Sequence, residues 1–265
     1  MTMSRRFAWL LAAAALLLAG CAGGPRLTID GSHRAVSQGP RVDLLVLHYT
    51  VLDQPTSLRV LTQQEVSSHY LVGDDDPPTI YRLVDEDQRA NHAGVSNWAR
   101  RVLVNMSSIG IEIVNPGYVD TPEGRRYAPY PAKQIDAVVA LVRDIVKRWG
   151  IPPERVVGHA DVAPGRKQDP GPLFPWKRLA QEGLAQWFDE SRAAALQPRY
   201  AASLPDTLWF QQRLARVGYG VPQDGVLDTA TLDVLTSFQM RFRPARYDGV
   251  PDAETAAILA VLTTP

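Results

Sequence analysis

The run Val42-Asp43-Leu44-Leu45-Val46-Leu47 is almost wholly apolar and leads directly into His48. It lacks the polar alternation of a half-exposed strand and is too short for an ordinary helix, so it is expected as a strand buried on both faces. Such a strand requires a sheet that is covered on both sides, and it delivers a polar side chain at its end. Further short strands are expected at Ser67 to Val72, Thr79 to Leu83, Ile109 to Val114 and Arg155 to Gly158. The clearest helix spans Pro131 to Trp149, where Ile135, Val138, Val139, Val142, Ile145, Val146 and Trp149 recur at helical spacing. Pro131 suits its first turn, and Gly150 with Pro152 ends it. A second helix is expected from Pro175 to Phe188. Strands interleaved with amphipathic helices indicate an α/β domain around a central sheet, over residues 40–190.

The 265 residues suffice for one sizeable domain and a smaller one, at roughly 100–200 residues per domain. Residues 191–204 lose strong periodicity and read as a linker. Beyond them, residues 205–265 show three short helical patterns and a weak internal repeat. Asp224-Gly225 is followed by Asp228 and Thr231, and Asp248-Gly249 by Asp252 and Thr255. The chain carries 28 basic and 28 acidic residues, so it lacks the basic footprint of a nucleic-acid binder.

The N-terminus differs in kind. Arg5 and Arg6 precede an apolar run from Phe7 to Leu18, which ends in small residues before Cys21, the single cysteine. This reads as an export signal over residues 1–20, since the run is shorter than the roughly 18–20 residues that span a bilayer. Leu18-Ala19-Gly20-Cys21 resembles the bacterial lipobox, in which the cysteine is acylated and becomes the first mature residue. Acylation of Cys21 would account for an unpaired exported thiol and, with more than one chain, would anchor the protein stably. Residues 21–39 then form a tether. Ala22, rather than aspartate, after the cysteine resembles the outer-membrane sorting pattern of Gram-negative bacteria.

Five histidines occur, at 33, 48, 69, 92 and 159. His33 falls in the tether. His48 and His159 both end short apolar strands, where ligands are held rigidly enough to bind metal. On spacing alone, Asp161 and Asp169 are both open as a third ligand.

The segment His159-Ala-Asp-Val-Ala-Pro-Gly-Arg-Lys-Gln-Asp-Pro-Gly-Pro closely resembles the signature of the type 2 family of zinc-dependent N-acetylmuramoyl-L-alanine amidases, shared with peptidoglycan recognition proteins. The rest of the pattern follows in order: Leu-Val-Leu-His48-Tyr, Val-Ser-Ser-His69-Tyr, Asn-His92-Ala-Gly and Ser-Ile-Gly-Ile-Glu112. The resemblance implies a central mixed β-sheet flanked by helices, and one zinc ion held by His48, His159 and Asp169 with a fourth position left for water. It implies Glu112 as the proton-handling base and Lys167 as the stabiliser of the oxyanion. Asp161 then reads as a loop cap. In Ile109-Gly-Ile-Glu-Ile, alternation puts Gly110 and Glu112 on one face, where the glycine is expected to leave room for substrate. His69 and His92 match family positions without being ligands, and are expected to be structural or substrate-side. Where the family usually has Trp-His-Ala-Gly, this chain has Asn91 before His92, a departure that bears on specificity.

The C-terminal region resembles a small three-helix peptidoglycan-binding module through Leu208-Trp-Phe-Gln-Gln-Arg-Leu, Gly218-Tyr, Asp224-Gly225, Phe238-Gln239 and Asp248-Gly249. Leu208, Leu214, Leu232, Leu235 and Phe238 would form its core. Together the resemblances imply hydrolysis of the amide between N-acetylmuramic acid and L-alanine in peptidoglycan or muropeptides. The alternative is a non-catalytic lipoprotein acting as a peptidoglycan sensor or wall anchor.

Overall fold

The computed structural model describes residues 27–122 and 124–264; the export segment and Cys21 lie outside the described residues. The chain divides after Gly39 into two units. Residues 27–39 contain no helix or strand, and the folded architecture belongs to the unit that begins at Pro40.

Its strands are β1 (Leu44–Tyr49), β2 (Tyr70–Val72), β3 (Ile80–Arg82), β4 (Asn97–Trp98), β5 (Arg101–Val102), β6 (Ser108–Ile113), β7 (Tyr118–Thr121), β8 (Gly124–Tyr127) and β9 (Val156–Gly158). Five of them form one sheet in the order β3-β2-β6-β1-β9. β1 lies parallel to both β6 and β9, β2 is parallel to β6, and β3 closes one edge antiparallel to β2. The pairs β4-β5 and β7-β8 are separate hairpins.

All six residues of β1 are buried, and alternation divides them between two cores. Leu45 and Leu47 join Ile109, Ile111, Ile113, Val138, Val142 and Ile145 on one face. Leu44 and Val46 join Trp98, Val157, Phe210 and Phe238 on the other. Helix α1 (Gln54–Gln63) starts at Asp53, whose carboxylate accepts from the Thr56 N–H. Helix α2 (Ala132–Trp149) supplies the first core with its apolar stripe and ends at Gly150, which takes the left-handed φ of 65°. The short α3 (His159–Val162) follows β9 directly, and α4 (Trp176–Gln181) comes next.

Two elements depart from expectation. The helix expected to reach Phe188 is only α4, because Gly183 adopts φ 71° and the Leu184 N–H turns back to the Leu179 carbonyl at 2.9 Å. Residues 191–204, read as a linker, lie almost wholly within α5 (Glu190–Ala202), capped by Asp189, which accepts from the Ser191 and Arg192 N–H groups. Its alanines favour helix strongly but draw no apolar stripe in the sequence.

The C-terminal helices α6 (Thr207–Val217), α7 (Thr229–Phe242) and α8 (Ala253–Thr263) cover the second face of the sheet and share its core. Of the expected core leucines, Leu214 and Leu235 are buried, whereas Leu208 and Leu232 are half-buried and Phe210 and Phe242 fill the interior. The internal repeat has a physical basis that was not visible in its turns. Gln211 and Gln239 are fully buried. Gln211 accepts from the Gly225 N–H at 2.8 Å and donates to Thr231 Oγ1 at 3.0 Å and the Val226 carbonyl at 2.9 Å. Gln239 does the same with Gly249, Thr255 and Val250, at 2.8, 3.1 and 3.0 Å. Each glutamine ties an Asp-Gly turn to the first turn of the following helix, and satisfies polar groups that would otherwise be buried without partners.

One carboxylate locks α2 to the sheet. Glu86 accepts from Tyr70 Oη at 2.7 Å, Arg148 Nη2 at 2.7 Å and Trp149 Nε1 at 2.6 Å. Burial opposes its ionisation, but the hydrogen bonds from Arg148, Trp149 and Tyr70 outweigh it and hold the pKa down to about 2. A carboxylate depressed in the fold contributes stability above its unfolded value of 4.5, and loses that contribution as pH falls through about 2. Glu86→Gln is therefore expected to be destabilised near neutral pH, with its deficit against the parent closing across that window. Urea unfolding measured through the window checks this; a deficit independent of pH would contradict it.

Candidate metal centre

The parallel strands β6, β1 and β9 end side by side, and their carboxyl ends hold the chemistry. His48 is the penultimate residue of β1, and His159 follows β9 as the first residue of α3. The two Nδ1 atoms approach to 2.9 Å, and each lies 3.0 Å from Asp169 Oδ2. All three residues are buried, and among the described residues they form the one group of such side chains placed to hold a metal ion.

The loop after α3 brings Asp169 back beside β9. The Ala160 N–H donates to the Asp169 carbonyl at 2.8 Å, and Gly158 leaves the space that this approach needs. A Cβ there would lie 2.7 Å from Pro170 Cδ. Gln168 is held from the β7-β8 hairpin by Tyr127 Oη at 2.7 Å and by Arg125, which restrains the residues on either side of it.

The donor set fits a cation. His159 Nε2 lies 3.1 Å from the Ala93 carbonyl; a carbonyl only accepts, so Nε2 donates to it and Nδ1 is the nitrogen that faces His48 and Asp169. Burial, reinforced by His159, pushes the pKa of His48 down to about 4, so its imidazole is neutral at physiological pH. Burial by itself would raise Asp169, but His159 and His48 hold its carboxyl well below the usual carboxylate range. Two imidazole Nδ1 atoms and a carboxylate oxygen thus converge on one point.

Asp161, open on spacing as a rival ligand, is fully engaged elsewhere. Its Oδ2 accepts from the Gly158 N–H at 2.8 Å and Arg241 Nη1 at 2.7 Å, and its Oδ1 accepts from Tyr219 Oη at 2.5 Å. It caps α3 and anchors the C-terminal helices at the same time.

Glu112 pairs with His48 in the β1-β6 register. Its Oε2 is buried without a hydrogen-bond partner. Burial, then the charge of Asp169, raises its pKa well above the usual carboxylate value, while Lys167 opposes the rise. Lys167, Glu112, His159 and Asp169 line one cleft of about 550 Å³, together with the apolar side chains of Val51, Leu52 and Val66.

Gly110 does not leave room for substrate. The His92 ring fills the space above it, so a Cβ would lie 2.5 Å from His92 Cγ. His92 has its pKa lowered by burial and by the neighbouring imidazoles. His69 is structural: its Nδ1 accepts from the Gly110 N–H at 3.0 Å, and its Nε2 faces the Gln88 carbonyl at 3.2 Å.

A family profile described as N-acetylmuramoyl-L-alanine amidase matches residues 38–172, and a peptidoglycan-binding domain profile matches residues 203–259. The chain is 44% identical to N-acetylmuramoyl-L-alanine amidase AmiD of Escherichia coli K12 over 97% of both chains. It belongs to the N-acetylmuramoyl-L-alanine amidase family. The fold of this amidase matches AmiD in complex with anhydro-N-acetylmuramic acid-L-Ala-D-gamma-Glu-L-Lys, with a TM-score of 0.80 and 42% identity over 88% of this chain and 93% of that one. It also matches AmpDh3 of Pseudomonas aeruginosa in complex with an anhydromuramic pentapeptide, with a TM-score of 0.83 and 41% identity over 89% and 98% of the respective chains.

Proposed function

We propose that the amidase hydrolyses, with zinc, the amide between the lactyl group of N-acetylmuramic acid and L-alanine in peptidoglycan or its fragments, releasing stem peptides. The observation that carries this reading is the convergence of His48, His159 and Asp169 on one point, with His159 and Asp169 lining a cleft that also holds Glu112 and Lys167. His48, His159 and Asp169 would hold one zinc ion, a set with room for a further ligand. Zinc bound there supplies Lewis acidity and makes water available as a nucleophile at neutral pH.

The chain's own residues do the rest. Glu112, whose pKa burial raises, takes a proton from the attacking water and passes it to the departing amine nitrogen of L-alanine. Lys167 offers a fixed positive charge to the carbonyl oxygen as negative charge develops on it. The cleft, whose lining mixes these polar groups with Val51, Leu52 and Val66, receives the muramyl peptide. The catalytic reading stands over a non-catalytic sensor because the donor set, the buried carboxylate and the lysine are all present together. Mass spectrometry of digested muropeptides tests it: stem peptides with a free L-alanine amine are expected from the zinc-loaded protein and not after chelation. Intact muropeptides in both samples would refute it.

The N-terminal sequence supports a further element. Cys21 is acylated and tethers the amidase to the periplasmic face of the outer membrane of a Gram-negative bacterium, with muropeptides within reach. Cys21→Ala is expected to move the protein from the membrane to the soluble fraction on cell fractionation, whereas retention in the membrane would refute the anchor.

A further inference from the structure

His48 reaches beyond the cluster of proposed ligands, through a buried chain of hydrogen bonds whose direction is fixed at its far end. Ser108 Oγ donates its one hydrogen to the Val104 carbonyl at 2.6 Å, because a carbonyl can only accept. Its contact with His92 Nε2 at 3.1 Å must then run the other way, with the imidazole N–H donating to the hydroxyl oxygen. In neutral His92 this leaves Nδ1 without a proton. That bare nitrogen lies 3.0 Å from His48 Nε2, which must be the donor, so the lone pair of His48 is on Nδ1 and faces His159 and Asp169.

The chain is built rather than incidental. Ser108 is fully buried, and His92 and His48 are buried beside it. Asn105 Oδ1 accepts from the His92 and Ala93 N–H groups at 3.2 and 2.7 Å, which fixes the backbone that carries the His92 ring. Gly110 leaves the room the ring occupies, since a Cβ there would lie 2.5 Å from His92 Cγ. His48 and His92 meet edge to face, with ring centroids 5.1 Å apart.

We infer that His92 and Ser108 are positioning residues that set the tautomer of His48, and so raise the affinity of the centre for its metal. This rests on the reading of His48 as a ligand. Outer partners of this kind typically contribute about 10–100-fold in metal affinity. Without Ser108, His92 is free to carry its proton on Nδ1 and donate to His48 Nε2, which would put the His48 proton where the metal belongs.

The test is the zinc dissociation constant of the full chain, measured against a competing chromophoric chelator, together with the protonated nitrogens of the zinc-free protein read from long-range proton–nitrogen NMR spectra. Ser108→Ala is expected to bind zinc about 10–100-fold more weakly and to show His48 protonated in part on Nδ1. His92→Asn, whose Oδ1 can stand in for the bare nitrogen, is expected to stay within a few-fold of the parent on the same scale, and His92→Leu to fall with Ser108→Ala. Parent affinity in Ser108→Ala, or a proton on Nδ1 of His92 in the parent protein, would overturn the inference. Failure of the parent itself to bind zinc would instead overturn the ligand assignment beneath it.

Discussion

Replacing Glu112 with glutamine is expected to lower turnover by about a hundredfold to ten-thousandfold, the usual contribution of a positioned general acid–base, while zinc content stays at the parent level. The side chains are nearly the same size, so the strand and the cleft persist. What disappears is the ability to accept a proton. Glu112 stands beside His48 in the sheet register but is not among the converging ligand atoms, which is why activity and metal content separate. Its Oε2 has no partner in the protein, and its pKa is displaced upward by burial and by Asp169. A carboxylate left unpaired in a buried cleft costs stability, and glutamine removes the charge. The variant is accordingly expected to be as stable as its parent or more so. Metal analysis, turnover and thermal unfolding of the one variant check all three statements. Loss of zinc would show that Glu112 is a ligand, and retained turnover would remove it from the mechanism.

The second large effect lies outside the cleft. Asp161→Ala is expected to cost about 3–5 kcal/mol of stability, because removing one partner of a buried ion pair strands the other charge. Arg241 and Asp161 are each almost inaccessible to solvent, with side-chain exposures of 3% and 2%. Arg241 also donates to the Val156 carbonyl at 3.1 Å and lies over the Trp176 ring at 4.1 Å. Asp161 meanwhile holds the Gly158 N–H and Tyr219 Oη. One carboxylate therefore joins β9, the turn that begins with His159, and two sites on the C-terminal helical region. The double substitution Asp161→Leu with Arg241→Met is expected to recover much of the loss, since apolar residues of similar volume often replace a buried pair at little cost. Urea unfolding of the single and double variants decides it. A loss below about 1 kcal/mol in Asp161→Ala would mean that the pair behaves as an exposed one.

That network also explains where the sequence was readable and where it was not. β1 and α2 were legible because burial on two faces and an amphipathic stripe leave direct marks in the order of apolar residues. The positions of His48 and His159 followed from the same marks, since each sits where an apolar strand ends. Asp169 did not: its approach depends on a loop closing over Gly158, and spacing left it equal to Asp161 until the family resemblance separated them. α5 was invisible because alanines form helix without drawing a stripe. The shared core of the sheet and the C-terminal helices gathers residues more than a hundred positions apart, such as Val46 and Phe238, into one cluster, which no local pattern encodes. The turns of the internal repeat were visible, but Gln211 and Gln239, which bind them, gave no signal until their hydrogen bonds were seen. Gly110 was misread for a related reason: a glycine marks space, and sequence cannot say that His92 fills it.

Digestion of muropeptides in water enriched in heavy oxygen reveals which amide these residues cut. Hydrolysis at the lactyl–alanine bond places one solvent oxygen on the lactyl carboxyl of the muramic acid product and none on the released peptide, whose new terminus is an amine. That label pattern is expected from the zinc-loaded parent and is expected to be lost in Glu112→Gln. Label on a carboxyl of the stem peptide would instead mean cleavage within the peptide, and would contradict the assignment of the cleft to a muramyl amide.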